Sequence, residues 1–236
     1  MEDRYYIKVC GLTDPQNIKK NVDLGVDRYT DSVGDNLYLN FDGVLDRGLN
    51  LAHGEGGTTS IGFGDFNNGG QGDLYLVRSG TATDVDDIVL VSNGDGTFDS
   101  EVGIPATDGV GESVVVGDFN DDGLLDVVVA DGRGASNFNT SGSYDVFLNN
   151  AVDRNHFISF DVVGPNGPTS ALGAVVMVNG TSQVFGTGVH GSDQDDSTLH
   201  FGLGDSTSID ALQAFIVITA VPVTPLVLFT LWSAPR

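Results

Sequence analysis

Short runs of β-branched residues alternate along this chain with loops dense in glycine, aspartate and asparagine. "SVVVGDFNDDGLLDVVVA" (113–130) sets two valine runs on either side of an acidic loop, and "SIGFGDFNNGGQGDLYLV" (60–77) has the same shape. Similar apolar runs lie at 35–41, 86–91 and 144–148. Short β-branched runs bounded by turn residues predict strands, not helices. Asp-Gly pairs between such runs, in "FDGV" (41–44) and "GDGT" (94–97), predict tight hairpins.

Two stretches depart from the pattern. "YIKVCGLTDPQNIKKNVDLGVD" (6–27) reads as a strand, an N-cap at Thr-Asp-Pro, an amphipathic helix and a glycine stop. "ALQAFIVITAVPVTPLVLFTLW" (211–232) carries no charge and is long enough for a spanning helix, which needs about 20 apolar residues. Pro222, Pro225 and the richness in Val, Ile and Thr favour two strands broken at "VPVTP". A C-terminal anchor is the other reading.

The strand pattern repeats itself. Asp65, Asn67 and Asp73 align with Asp118, Asn120 and Asp126 at an offset of 53 residues. The flanks repeat too: "DNLYLNFDGVLDRG" (35–48) resembles "DDIVLVSNGDGTFDSEVG" (86–103), and "YDVFLNN" (144–150) begins the motif again. A unit of about 50 residues with several strands is the size of a β-propeller blade. Only two units are nearly complete, and a closed ring takes about 4–8. The blades are therefore incomplete as a propeller.

Composition narrows the function. Among 236 residues there are 33 acids and 10 bases, a net charge of −23. Phosphate binding needs clustered Lys and Arg, so a nucleic-acid partner is disfavoured. The acids are interspersed with Val, Phe and Gly, which argues against a disordered acidic tail. One cysteine, Cys10, excludes an internal disulfide framework. The first ten residues carry no apolar signal-peptide core.

The acidic loops supply candidate chemistry. Counting from Asp118, side-chain oxygens fall at positions 1 (Asp118), 3 (Asn120), 5 (Asp122) and 9 (Asp126). Gly123 stands at 6, and the Leu124 carbonyl at 7. Alternate oxygens in a tight loop suit Ca²⁺, which takes about six to eight of them. An EF-hand would need a bidentate Glu at 12 and flanking helices. Position 12 here is Val129 in a strand-like run, so the expectation is a calcium loop on a β-hairpin. In the first loop Asp65, Asn67 and Asp73 fit positions 1, 3 and 9, with Gly69 at 5 and Gln71 at 7. Gly69 has no side-chain oxygen, so weaker binding or a water is expected there.

These residues carry a family resemblance. "FGDFNNGGQGDLYLV" and "VGDFNDDGLLDVVVAD" resemble FG-GAP/VCBS repeats, the calcium-binding blades of integrin-type propellers and of many bacterial surface proteins. Residues 155–212 are similar to the ASPIC/UnbV domain, through Asn155-His156, Leu172-Gly173-Ala174 and "LHFGLGD" (199–205). That module follows FG-GAP repeats in cartilage-acidic-protein-like and bacterial secreted proteins. It implies a β-rich, sandwich-like extracellular module without an established catalytic site. Residues 6–27 separately resemble the first βα unit of phosphoribosylanthranilate isomerase, where the cysteine at the place of Cys10 is the catalytic base. A (β/α)₈ barrel takes about 250 residues of alternating strands and helices, and nothing after residue 28 continues that alternation.

Other constellations are thin. His53, His156, His190 and His200 lack metal-ligand spacing and read as structural. No G-x-S-x-G or P-loop is present. Asn139 and Asn179 open glycosylation sequons.

The expected architecture is mostly β. It runs from a βα segment (1–28) through FG-GAP/VCBS-like calcium-binding repeats (29–150) and a β-rich C-terminal module (151–215) to an apolar tail (216–236). The expected protein is not an enzyme. It is an extracellular or cell-surface adhesion or recognition protein with structural Ca²⁺, which meets a protein or glycan ligand and is able to self-associate. A carbohydrate-binding module is the alternative, and an isomerase-derived fusion the more distant one.

Overall fold

The computed structural model describes residues 4–8, 35–41, 44–51, 57–79, 86–95, 97–99, 102–104, 110–132, 143–151, 155–164, 171–186, 189–190, 193–215 and 228–232. They form a mostly β protein of several small sheets. Strands β1 (Arg4–Lys8), β2 (Asp35–Phe41) and β3 (Val44–Leu51) make an antiparallel sheet in sequence order. Phe41 pairs with Val44, which closes the hairpin expected at "FDGV". Because β1 runs antiparallel to β2, it is part of a meander and not the first strand of a parallel barrel. The helix expected within 6–27, and Cys10 with it, lies outside the described residues.

The next sheet is the first complete repeat: β4 (Gly57–Gly64), β5 (Asp73–Ser79), β6 (Asp87–Leu90) and β7 (Val102–Ile104), all antiparallel. The "GDGT" turn joins the last two, with Asn93 N–H donating to the Thr97 carbonyl at 2.9 Å. The second repeat has β8 (Val110–Gly117), β9 (Asp126–Gly132) and β10 (Ser143–Phe147). The two repeats share their register. Gly64 pairs with Asp73 as Gly117 pairs with Asp126, and a register shift falls between Thr58 and Ser60 in one and Gly111 and Ser113 in the other. A bulge recurring at the same offset shows that the repetition extends to backbone detail.

The repeats stack face to face. Tyr75 and Val77 of β5 pack against Val114 and Val116 of β8 and Val127 and Val129 of β9, with Phe66 and Leu125 completing the cluster. Alternate residues of a strand face opposite ways. Leu74 and Leu76 of β5 therefore enter a separate core with Ile88 and Leu90 of β6. Each large apolar side chain so buried contributes roughly 1.5–3 kcal/mol.

Beyond the repeats come β11 (His156–Val163), β12 (Val175–Val178), β13 (Thr181–Val184), β14 (Val189–His190), β15 (Asp193–Gln194), β16 (Leu199–Gly204), β17 (Leu212–Phe215) and β18 (Leu228–Trp232). Two three-stranded sheets, β16-β11-β18 and β13-β12-β17, enclose one core of Phe160, Val162, Val176, Val178, Phe185, Leu199 and Phe201. This is the sandwich-like module the sequence suggested. The uncharged stretch at 211–232 begins and ends in strands β17 and β18, and β18 pairs with β11. Among the described residues no helix is long and apolar enough to cross a membrane. Pro222 and Pro225 lie outside those residues.

The module is bonded directly to the repeats. Gly204 N–H donates to the Asn68 carbonyl at 2.8 Å, and Asn155 Nδ2 to the Asn67 carbonyl at 2.8 Å. On β8, Val116 is held on both backbone groups: its N–H donates to Asp195 Oδ1 at 2.9 Å, and its carbonyl accepts from Asp196 N–H at 3.1 Å. Gly202 lies so close to the first loop that a Cβ there would sit 2.1 Å from Asp65 Oδ2 and 2.4 Å from the Asn68 carbonyl carbon. The Gly202→Ala variant is therefore expected to lose about 1–3 kcal/mol of stability. The loss should show as a lower Tm and faster proteolysis between the repeats and the module.

Candidate metal centre

Both acidic loops are built by the same local rules. Asp65 accepts from Gly69 N–H through Oδ1 (2.8 Å) and from Gly70 N–H through Oδ2 (2.7 Å). Asp118 accepts from Asp122 N–H through Oδ1 (3.1 Å) and from Gly123 N–H through Oδ2 (2.8 Å). Asn67 Oδ1 and Asn120 Oδ1 take a second bond from the same residues, Gly69 N–H and Asp122 N–H. Such side-chain-to-backbone bonds two to five residues on are what short Asx side chains favour. The reversal runs through two left-handed residues in each loop: Asn68 (φ 55°) and Gly70 (φ 88°) in one, Asp121 (φ 59°) and Gly123 (φ 86°) in the other. Asn, Asp and Gly are the residues that tolerate this conformation.

The aspartate at position 9 has a task within the fold itself. Asp73 is fully buried and accepts from Phe66 N–H (2.9 Å) and Ser92 N–H (2.9 Å). Asp126, equally buried, accepts from Phe119 N–H (3.0 Å) and Asn149 N–H (2.8 Å). Each carboxylate therefore ties the start of its loop to the end of the third strand of its repeat. Its charge is tolerated between apolar strands because two backbone amides solvate it.

The loops differ in what covers them. The first is roofed by the C-terminal module. Asp65 takes a further backbone hydrogen bond from Gly202. Asn68 is the hub of this contact: its Nδ2 donates to the Gly123 carbonyl (2.9 Å), and its Oδ1 lies 2.7 Å from His200 Nε2. With Nδ2 engaged by the Gly123 carbonyl, Oδ1 is the acceptor and His200 Nε2 carries the donated proton. The His200 ring stacks on Phe157 with centroids 5.0 Å apart. Burial pushes the Asp65 carboxyl up to about 6, and burial with the nearby Asp65 charge pushes Asp73 up to about 6. Burial pushes His200 down to about 4.

The second loop faces solvent over Phe119, Asn120, Asp121 and Asp122. Asp118 Oδ1 and Asn120 Oδ1 converge on the single Asp122 N–H, and Asp122 Oδ2 accepts from Asn120 Nδ2 (2.9 Å). Leu124, expected to offer its carbonyl, donates its N–H to Asp122 Oδ1 (2.9 Å). Burial, together with the charges of Asp122 and Asp126, holds the Asp118 carboxyl above the usual range, against the lowering effect of the amides of Gly123 and Asp122. A cation here would relieve that repulsion. Among the described residues no three His, Cys, Asp or Glu side chains gather as a ready cluster. The second loop instead offers two carboxylates and one amide oxygen, all hard donors open to solvent, which suit an ion such as Ca²⁺. The first loop fits poorly. Gly69 lacks an oxygen, Gln71 lies against Gly94, and Asp65 is closed over by Gly202.

Several residues that organise the site were not among the candidate site residues read from the sequence: Asn68, Asn149, Asn155, Asp195 and Gly202. Asn149 had a faint signal, since "FLNN" occupies the place of "LVSN" in the first repeat. His200, expected to be structural, is the buried partner of Asn68. The Asn179 side chain caps the turn before β17, accepting from Asp210 and Ala211 N–H. Asn139 and His53 lie outside the described residues.

A family model described as an FG-GAP-like repeat matches residues 65–129, from the first aspartate of the first loop to the strand after the second. The chain thus carries an FG-GAP-like repeat across the region where the fold repeats itself. This match gives no support to the ASPIC/UnbV resemblance of 155–212 or to the isomerase resemblance of 6–27. No curated protein matches the chain.

Two outcomes follow. Asp126→Ala leaves two backbone amides without their acceptor and should cost about 2–4 kcal/mol, whereas Asp122→Ala, at an exposed position, should cost less than about 1 kcal/mol; urea titration distinguishes them. The second concerns pH. The folded state holds His200 neutral down to about 4, while the unfolded chain protonates it near 6.5. His200 therefore contributes stability that is present above pH 6.5 and lost as pH falls towards 4. Asp65 and Asp73 act oppositely: the folded state binds their protons more tightly, so their ionisation lowers stability as pH rises from about 4 to about 6. His200→Gln keeps an amide donor for Asn68 and removes the first effect alone. Its Tm relative to wild type should rise steadily from pH 7 to pH 4.5, by the equivalent of roughly 2–3 kcal/mol at most.

Proposed function

We propose that this protein is a calcium-stabilised recognition module that works outside the cell or at its surface and carries out no catalysis. The observation that supports this reading best is the exposed second loop, where Asp118 and Asn120 oxygens converge on one amide beside the Asp122 carboxylate. Asp118, Asn120 and Asp122 would hold the ion, with the Leu124 carbonyl as a further donor. Asp126 would stay on its two amides and fix the loop beneath them. Bound Ca²⁺ would neutralise the loop's charge and lock its conformation, and it would carry no chemical step. The FG-GAP-like repeat at 65–129 favours a β-propeller-like recognition or adhesion module over other β-rich classes. A net charge of −23 suits an acidic exterior protein that meets neutral or basic ligands.

A glycan ligand is the second reading, and Phe119 favours it. Its ring is nearly half exposed at the start of the calcium loop, where an aromatic face can stack on a sugar. Loss of glycan capture on Phe119→Ala, with Ca²⁺ affinity kept, would select this reading over a protein ligand.

Calorimetric titration of metal-free protein with Ca²⁺, with Tm followed in parallel, tests the proposal. One saturable site and a raised Tm are expected, both lost in Asp122→Ala/Asn120→Ala. Those positions are exposed, so the double variant should fold as well as wild type without the ion. Equal heats for both proteins would leave the loop a solvated turn and remove the calcium reading.

A further inference from the structure

The two repeats are alike through three strands and differ at the fourth. In the first, β7 pairs antiparallel with the outer edge of β6: Asp87 with Ile104, Ile88 with Gly103, Val89 with Val102. In the second, the sheet has the order β10-β9-β8, and among the described residues no strand lies beyond β10. Residues 148–151 and 155, which lead from β10 into β11, form no strand. The two third strands are equivalent position by position. Leu90 faces Leu74 as Phe147 faces Val127, and Ser92 meets the Asp73 carboxylate as Asn149 meets that of Asp126.

Their burial differs throughout. Asp87, Ile88 and Leu90 are buried and Val89 is half-buried, whereas Tyr144 and Val146 are exposed and Asp145 and Phe147 only half-buried. Tyr144 is 77% exposed, Val146 58% and Leu148 56%, and the three alternate along one face. The corresponding face of the first repeat, Tyr75, Val77 and Val89, is packed against the second repeat. An exposed apolar strand edge is a template for pairing, which proteins usually blunt with charge, proline or a bulge. On β10 the only charge is Asp145, and its register with β9 is unbroken from Ser143 to Phe147.

We propose that the outer edge of β10, which no described strand covers, with the exposed Tyr144-Val146-Leu148 face beside it, receives an extended peptide strand from another protein as the fourth strand of the second repeat. The occupant is β-branched at alternate positions and free of acidic side chains. Two observations specify it. The strand that fills the same edge in the first repeat, β7, has the sequence Val-Gly-Ile and pairs antiparallel. A second copy of this chain would bring another −23 to the interface, so like-charge repulsion opposes self-pairing and favours a neutral or basic strand. Strand addition draws its affinity from main-chain hydrogen bonds and its selectivity from alternate side chains. The inference rests on the recognition role proposed above and supplies its surface, but it does not depend on calcium.

The probe is the octapeptide Lys-Thr-Val-Thr-Ile-Thr-Val-Lys, titrated into the ¹⁵N-labelled full chain with and without Ca²⁺. A control peptide has its Val and Ile residues replaced by Ser. The expected result is saturable binding with shift changes and slowed hydrogen exchange confined to the amides of β10 and its neighbour β9. Val146→Lys and Tyr144→Lys should each weaken binding at least about tenfold, the control peptide should bind at least about tenfold more weakly, and the Tm of both variants should stay at the wild-type value. Shift changes elsewhere, or equal binding of the control, would overturn the proposal. So would sedimentation of the protein alone as a dimer that Val146→Lys dissociates, because the occupant would then be a second copy. Failure of peptide binding with Ca²⁺ binding intact would remove this surface and leave the calcium reading standing.

Discussion

The repeats depend on one interaction used twice: a buried aspartate that accepts two backbone amides from distant parts of its own unit. Asp73 joins Phe66 to Ser92, and Asp126 joins Phe119 to Asn149. A carboxylate between apolar strands is costly unless it is well bonded. Two amides supply that solvation and also fix the geometry. The loop start, the second strand and the end of the third strand are pinned to one another, so the sheet register and the loop shape are set together. The shared register and the recurring bulge are consistent with a unit held by the same bonds in both copies.

This clamp also explains how far the sequence could be read. The strands, the hairpins at "FDGV" and "GDGT", and the repeat at an offset of 53 residues were legible because each has a local signature: β-branched runs, Asp-Gly pairs, and Asp and Asn at fixed spacing. The backbone partners of position 9 were not. A carboxylate that ligates an ion and one that caps two amides occupy the same place in a one-dimensional pattern. The partner amides of Asp126 are 7 and 23 residues away. The amide of Asn149 carries no residue-type signal, since any residue but proline supplies one. The sandwich-like module was suggested by a resemblance rather than by pattern. Its core nonetheless alternates as a strand should, with Phe160 and Val162 inward and Asp161 and Val163 outward.

The cover over the first loop was illegible for a related reason. Gly69 made the loop read as a weak calcium loop because an oxygen is missing there, with Gly70 beside it. In the structure they supply amides to Asp65, in a loop closed over by β16. Asn68, His200 and Gly202 make that closure, and Asn68 lies more than 130 residues of chain from the other two. No local pattern joins them. The one hint was His200, an isolated histidine within the apolar run "LHFGLG", where a buried, satisfied imidazole is the ordinary outcome.

Two copies of one motif thus reach different ends. The first loop has exchanged solvent for protein: its carboxylate is buried, its pKa raised, and its surface used to seat another module. The second keeps Asn120 and Asp122 exposed and Asp118 half-buried, with the like charges of Asp122 and Asp126 beside it. Burying the second loop as the first is buried would demand a further partner for Asp118 and Asp122 together, and desolvating two adjacent carboxylates without a counter-charge is steeply unfavourable. The extra acid at position 5, Asp122 in place of Gly69, therefore selects between the two fates. With glycine there, the loop can become an internal joint. With aspartate it stays at the surface, where a cation can reach it.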